Sequence, residues 1–431
     1  MKKYLFIIFL ITALLTGCGQ NGEDPKDGKI VVEFWQAMGG PLGDGLQVLV
    51  DDFNATHDDI YVNSINMGNY TALSQKLMAA IQTGNQPDVA QSFEAWTANF
   101  LKGDVIKPVE DLIKEDPNFG PADMEDIYPV FIKSNTIDGK LVSFPFNKSV
   151  RVQYYNKDIL FVNGYDPDKP PKTWKEYRDM CKALTKDTDG DGKIDQFGAS
   201  IKISAWKYEN LLLQGGGKIL NEDNTKALFN SQAGVDALAF LNTLLNVDKS
   251  VYLSPGYDGQ KDFTASKIAF YEDSSVSMAY MRRTGIDFNL GISAIPIKDE
   301  STNIISGTNV VVFRDEKPEI ERAAWEFVKW FTEAEQTAKW SELTYYMPVR
   351  RSAFNQPGLK ERLASNPEIK AVYDQLEYST FEPQISEWYE TRKYLEEHVI
   401  EKVVRGILTP EEALDNAAEM VERLIRKNKK K

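Results

Sequence analysis

The sequence predicts an α/β protein of two lobes with a ligand cleft between them. Three observations carry this. Strand and helix signals alternate from Lys29 onward. The 431 residues exceed what one hydrophobic core ordinarily supports. No low-complexity linker separates the halves, so the chain must pass between the lobes more than once.

The elements follow in order. Met1-Lys2-Lys3 is a basic start, and Tyr4 to Leu15 is an apolar run of 12 residues. A membrane-spanning helix needs roughly 20, so residues 1–17 read as a signal peptide. Leu15-Thr16-Gly17-Cys18 places a bulky aliphatic and two small residues before a cysteine, the pattern of a bacterial lipobox, and predicts acylation of Cys18. Residues 18–28, rich in Gly, Asp and Pro, then form a polar tether. This puts the mature chain at the extracytoplasmic face of a bacterial membrane, held by lipid.

Lys29 to Trp35 is a β-branched and aromatic run, hence a strand. Leu42, Leu46, Leu49, Val50 and Phe53 share one helical face. Ile60 to Ile65 reads as a second strand. Leu73, Leu77, Ala80 and Ile81 line a second helix that ends at Thr83-Gly84-Asn85, and Asp88-Val89-Ala90 opens a third strand. The β-α-β-α-β order predicts a mostly parallel sheet under helices. Thr173/Glu176, Thr332/Glu335 and Thr409/Glu412 have capping-box spacing, and from about Ile320 the chain reads as almost wholly helical. Segments 154–157, 271–281 and 344–348 are the expected crossings. They divide the chain into a first lobe of 29–145 and 279–344 and a second of 146–278 and 345–431.

Composition excludes several functions. Fifty Lys and Arg against 64 Asp and Glu give a net charge of −14, which argues against nucleic-acid binding. Two histidines, His57 and His398, are too few and too far apart for a His-based metal site or triad. With Cys18 acylated, Cys181 has no disulfide partner and reads as a packed thiol. Adjacent acids such as Asp51-Asp52 and Asp58-Asp59 do not supply two carboxylates across a scissile bond. No pattern in the chain carries catalysis.

One local motif is sharp. Asp187, Asp189, Asp191, Lys193 and Asp195, with Gly192 among them, match the start of an EF-hand loop and predict a structural calcium site. The bidentate Glu of a full loop is replaced by Gly198, so Asp195 or a distant acid must substitute. A metal-free Asp-Gly turn is the alternative.

Several short motifs, in order, resemble the family 1 extracellular solute-binding proteins of carbohydrate ABC transporters. They are Phe34-Trp35, Phe53-Asn54, Leu77-x-x-Ala80-Ile81-x-x-Gly84-Asn85-x-Pro87-Asp88-Val89, Pro145-Phe146-Asn147, Tyr154-Tyr155-Asn156-Lys157, Pro171-x-Thr173-Trp174-x-Glu176 and Met347-Pro348-Val349. The resemblance runs from about Lys29 to Lys427. It implies a periplasmic-binding-protein type II-like fold and a monomeric, non-enzymatic lipoprotein, palmitate-anchored, that hands a carbohydrate to ABC permease subunits.

Met38-Gly39-Gly40-Pro41-Leu42-Gly43 and Gly68-Asn69-Tyr70 are most similar to the branch that contains the glycerol-3-phosphate-binding protein. That likeness implies ligand contacts from Tyr70, Glu94, Ser274 or Ser275, Gly307 and Tyr346. It also implies a phosphate-holding Arg near the C-terminal helices, where this chain shows Ile385-Ser-Glu-Trp388-Tyr389. An acidic and aromatic substitute would repel phosphate, which favours a neutral sugar or oligosaccharide. A sugar needs aromatic faces for its C–H patches and planar polar groups for its hydroxyls. Trp35, Tyr70, Trp96, Trp206, Tyr346 and Trp388 are the stacking candidates. Glu94, Asn147, Arg151, Asp273 and Ser274 are the hydrogen-bonding candidates. Core packing is the competing account of each aromatic, and it is preferred for Trp325 and Trp330. A phosphate-ester binder and, more distantly, a secreted carbohydrate-active enzyme are the alternatives.

Overall fold

A computed structural model describes residues 28–428. The expected signal peptide, Cys18 and nearly all of the tether lie outside the described residues. In the first lobe, strand Ile30–Gln36 pairs in parallel with Ile60–Asn66 on one side and Val89–Ser92 on the other. Helix Gly40–Thr56 buries Leu42, Leu46, Leu49, Val50 and Phe53 against this sheet, the face the spacing predicts. Helix Tyr70–Thr83 is opened by the Asn69 side chain, which accepts from the Ala72 N–H, and closed by Gly84 in the left-handed region at φ 68°. Strand Ser306–Phe313 joins antiparallel beside Val89–Ser92, and Phe144–Ser149 pairs with it in turn.

The second lobe holds a five-stranded sheet in the order Val251–Leu253, Phe197–Ile201, Ile268–Ser274, Arg151–Asn156, Leu290–Ala294. Its core takes in Trp174, Tyr177, Cys181 and Leu184 from helix Trp174–Leu184, and Leu414, Val421 and Ile425 from helix Pro410–Asn428. Cys181 is fully buried, and burial pushes its thiol well above the usual range. No helix among the described residues is long and apolar enough to cross a membrane.

The crossings differ from the expected ones. The chain leaves the first sheet after Ser149 and enters the second at Arg151, a few residues later than the 145/146 boundary. Leu290–Ala294 pairs with Arg151–Asn156, so residues from 279 do not return directly to the first lobe; the return lies between Ala294 and Ser306. Helix Pro367–Tyr373 packs against Leu290–Ala294 of the second sheet, and its cluster also takes in Leu359 and Val349, so residues 345–376 touch both lobes before the chain enters the second core beyond Leu376. There Ser379–Thr380 pairs with Asn303–Ile304, tying two crossings together. An apolar stripe states that a helix face is buried but not against which sheet.

The caps also divide. Thr173/Glu176 and Thr409/Glu412 form reciprocal boxes. Thr332 instead ends helix Pro318–Phe331 and gives its hydroxyl to the Lys329 carbonyl, leaving Glu333 to start Ala334–Thr344. The C-terminal part is mainly helical but is interrupted at 345–350 and 379–387.

Candidate functional site

Strand Phe144–Ser149 carries the first lobe's contribution. The Asn147 amide donates to the hydroxyls of Tyr70 at 3.2 Å and Tyr346 at 2.9 Å. Its carbonyl accepts from the Gln91 amide at 3.0 Å and from the Thr308 hydroxyl, so Asn147 uses its full hydrogen-bonding capacity. Burial holds the Tyr70 phenol neutral, pushed up to about 12, and raises that of Tyr346 further. Tyr346 also stacks on Trp340 with centroids 5.4 Å apart. Beside this network Lys148, with no exposed side chain, reaches Glu94 at 2.9 Å and the Gly307 carbonyl at 3.3 Å. Gly307 sits at φ +105°, and a Cβ there would fall 1.8 Å from the Asn147 carbonyl oxygen. Only glycine fits that position.

The second lobe contributes charge. The Arg151 guanidinium lies over the Trp206 ring at 5.1 Å and donates to the Glu272 carbonyl at 3.2 Å. Lys207 pairs with the Glu272 carboxylate, and burial lowers the Lys207 pKa despite that partner. These groups, with Asp273, Arg392 and Glu396, line a cavity of about 330 Å³. A smaller gap, where Phe93 and Glu94 of the first lobe face Glu382, Trp388 and Tyr389, is also lined by Arg392. Arg392 thus reaches both spaces, and it holds Glu382 at 3.1 Å. Burial works against the Arg392 charge, but Glu382, Glu209 and Glu396 more than restore it. Farther out, Lys102 donates to the Ser386 hydroxyl at 3.3 Å, Gln384 to the Ser134 carbonyl at 2.8 Å, and Trp96 meets Tyr389 edge-on at 5.8 Å, closing the two sides onto each other.

The expected site residues fall into groups. Glu94, Arg151, Trp206, Asp273 and Trp388 border the two spaces just described. Tyr70, Asn147, Gly307 and Tyr346 form the network beside them. The Trp206 indole is already given to the Ile304 carbonyl at 2.8 Å. The Asp273 carboxylate accepts from Tyr271 at 2.6 Å. Ser274 and Ser275 present carbonyls to the Tyr154 hydroxyl, and the Ser275 hydroxyl is given to the Tyr345 carbonyl at 2.9 Å. Trp96 is buried in the seam, and Trp35 packs in a satellite core of the first lobe with Tyr70 and Phe93, lining neither space.

Lys148, Lys207, Glu209, Glu272, Glu382 and Arg392 were not among the sequence candidates. Arg392 had a signal: it lies four residues, one helical turn, beyond Trp388. Its position corrects the expectation that this region offers only acidic and aromatic groups. A guanidinium is present, so the argument against a phosphate ester no longer holds.

In the acidic loop, the carboxylates of Asp187, Asp189 and Asp195 come within 4.8 Å of one another, as a cation would require. Asp191 turns instead to Lys193 at 3.1 Å. Asp187 already accepts from the Gly190 and Gly192 N–H groups, and Asp195 from Thr188. The donor set therefore fits calcium in part, with three of the five expected residues converging.

A sequence model of bacterial extracellular solute-binding proteins matches residues 48–371. The sn-glycerol-3-phosphate-binding periplasmic protein UgpB of Escherichia coli (strain K12) is 28% identical over 420 residues, 93% of each chain. Among solved structures, UgpB from Mycobacterium tuberculosis in complex with glycerophosphocholine superposes with a TM-score of 0.80 at 20% identity, covering 94% of this chain and 100% of the other. The cyclic α-maltosyl-1,6-maltose binding protein from Arthrobacter globiformis gives 0.78 at 23% identity, covering 93% and 100%. The sugar-binding protein MalE from Xanthomonas citri gives 0.78 at 24%, covering 93% and 98%. At these identities the superpositions speak for the two-lobed fold.

Proposed function

The chain belongs to the bacterial extracellular solute-binding protein family, and from that premise we propose that it captures a small phosphorylated polyol of the glycerol-phosphate class for an ABC importer. Proteins of this family bind sugars and related solutes for ABC transporter permeases and are binding proteins rather than enzymes. The observation that carries the finer reading is Arg392, which lines both spaces at the junction of the lobes, with Arg151 and Lys207 on one side and the Glu94–Lys148 pair on the other. A guanidinium in a partly desolvated cleft suits phosphate oxygens. Ligand touching both lobes favours their closed arrangement by its differential contacts, and the permease reads the closed outer surface.

A neutral sugar is the second reading. It is favoured by the carboxylate beside each cation, which leaves compensated polar pairs around the buried Trp206 ring and the Arg151 guanidinium that covers it. The rest of the proposal is a monomer held at the extracytoplasmic membrane face through acylated Cys18, with calcium at the Asp187–Asp189–Asp195 cluster in a structural role. The test is tryptophan fluorescence of the mature chain carrying Cys18→Ala, titrated with glycerol-3-phosphate, glycerophosphocholine and a panel of mono-, di- and oligosaccharides. Saturation by a phosphorylated polyol is the expected result. A response confined to neutral sugars overturns it in favour of the second reading, and product formation from any of them would mean an enzyme.

A further inference from the structure

Behind Arg392 lies a group that the binding reading does not use. Glu209, on helix Ala205–Gln214, is 1% exposed, lines neither space, and has no hydrogen-bond donor for either carboxylate oxygen among the described residues. Its carboxyl instead meets that of Glu382, whose side chain is 13% exposed and is held on its other side by the Arg392 guanidinium at 3.1 Å. Two buried carboxyl groups in contact cannot both hold a full charge cheaply; a single proton between them turns a repulsive pair into a hydrogen bond.

Arg392 and Glu396 face the pair from the C-terminal helices, and Glu94 and Lys148 from the first lobe. Tyr208, next on the same helix, gives its hydroxyl to the Phe229 carbonyl and supplies no proton to Glu209.

We propose that Glu209 and Glu382 share one proton and act as an adjustable counter-charge on Arg392, so that capture of an anionic group there is coupled to retention or uptake of that proton. With the proton in place the pair carries one negative charge, which Arg392 balances. Without it the pair carries two, and an arriving anion meets a site one charge more negative. Burial, followed by the proximity of Glu382, raises the Glu209 pKa, in the direction that favours the protonated pair. Glu382 is then the positioning residue for the guanidinium and Glu209 the proton carrier behind it.

The anion half of this rests on the phosphorylated-polyol reading; the proton half does not, and the test separates them. Infrared difference spectra of wild type against Glu209→Gln at pH 7 should show a protonated-carboxyl band that the variant lacks. In Arg392→Gln the band should persist to higher pH, because the neighbouring positive charge is gone. Absence of the band in wild type, or a midpoint indifferent to Arg392, overturns the proposal. For binding, the probe is glycerophosphocholine, whose phosphodiester does not titrate in this range. Its Kd should weaken by up to tenfold per pH unit as the pair ionises, the limit for one linked proton. Glu209→Gln should flatten that slope, and an unchanged slope overturns the coupling. If glycerophosphocholine and glycerol-3-phosphate both fail to bind while the band behaves as described, the ligand reading falls and the shared proton stands.

Discussion

The two sides of the cleft are built on different principles. On the first lobe, Asn147 joins Gln91, Tyr70, Thr308 and Tyr346 through neutral hydrogen bonds, with Gly307 pressed against its backbone and Lys148 compensated by Glu94 beside it. On the second, Arg151, Lys207, Glu272 and Arg392 crowd charge into a partly desolvated space, with Glu382 and Glu209 behind Arg392. The Glu209 oxygens are left without donors among the described residues. A paired neutral network fixes geometry at little electrostatic risk. A buried charge cluster is costly for stability unless each member is compensated, and it is kept where charge must respond to something. The first side is therefore a frame, and the second is where a ligand's charge is read.

This contrast can be broken by experiment. Gly307→Ala should have the largest effect, because the new Cβ has no room and the backbone sits in the left-handed region. A loss above about 4 kcal/mol, seen as failure to fold or a collapsed denaturant midpoint, is expected. Arg392→Gln comes next and should act on the other axis, weakening glycerol-3-phosphate binding about 100-fold, or about 2.7 kcal/mol, with a smaller change in Tm. Asn147→Ala should cost about 2 kcal/mol in urea unfolding by orphaning its buried partners. If it instead abolished binding without loss of stability, the frame would be a ligand contact and the contrast would fail.

Smaller effects follow from protons and calcium. Glu209 holds its proton more tightly when folded, so its contribution to stability is present in acid and is lost as pH rises above the ordinary carboxylate range through its raised folded value. The wild-type denaturant midpoint should accordingly fall more steeply, as pH rises above the ordinary carboxylate range, than that of Glu209→Gln. Asp88, pushed up to about 6 chiefly by burial, adds a term of the same sign in both proteins and cancels in the comparison. Smallest of all, millimolar calcium should raise Tm by a few degrees, about 1 kcal/mol or less, and Asp187→Asn should remove that increment.

The first lobe's β-α-β-α-β run was legible because its pairings are local and its helices carry clean apolar stripes that end in Gly84 and begin at Asn69. Leu290–Ala294 was assigned to the wrong lobe because its partner, Arg151–Asn156, lies far back in the chain and nothing in five residues names a distant neighbour. Thr332 has capping-box spacing yet closes one helix rather than opening the next, since spacing does not show which side of a turn the hydroxyl serves. Near the cleft, the resemblance named Tyr70, Gly307 and Tyr346, which the fold gathers around Asn147, whereas Trp35, named for its residue type alone, packs in a satellite core. The charged partners were not legible, because burial of Lys207, Glu209 and Glu272 is a tertiary fact and an acidic surface sequence looks the same as an acidic interior one.

Cys181 has a practical consequence. It is fully buried on the inner face of helix Trp174–Leu184, with a thiol that stays protonated at neutral pH. Protonated, inaccessible thiols do not react with maleimides. In a chain carrying Cys18→Ala, a single cysteine introduced at the exposed Lys202, on the rim of the 330 Å³ cavity, would take an environment-sensitive dye at one site without removing any other cysteine, making the protein a ready scaffold for an optical sensor of its own ligand.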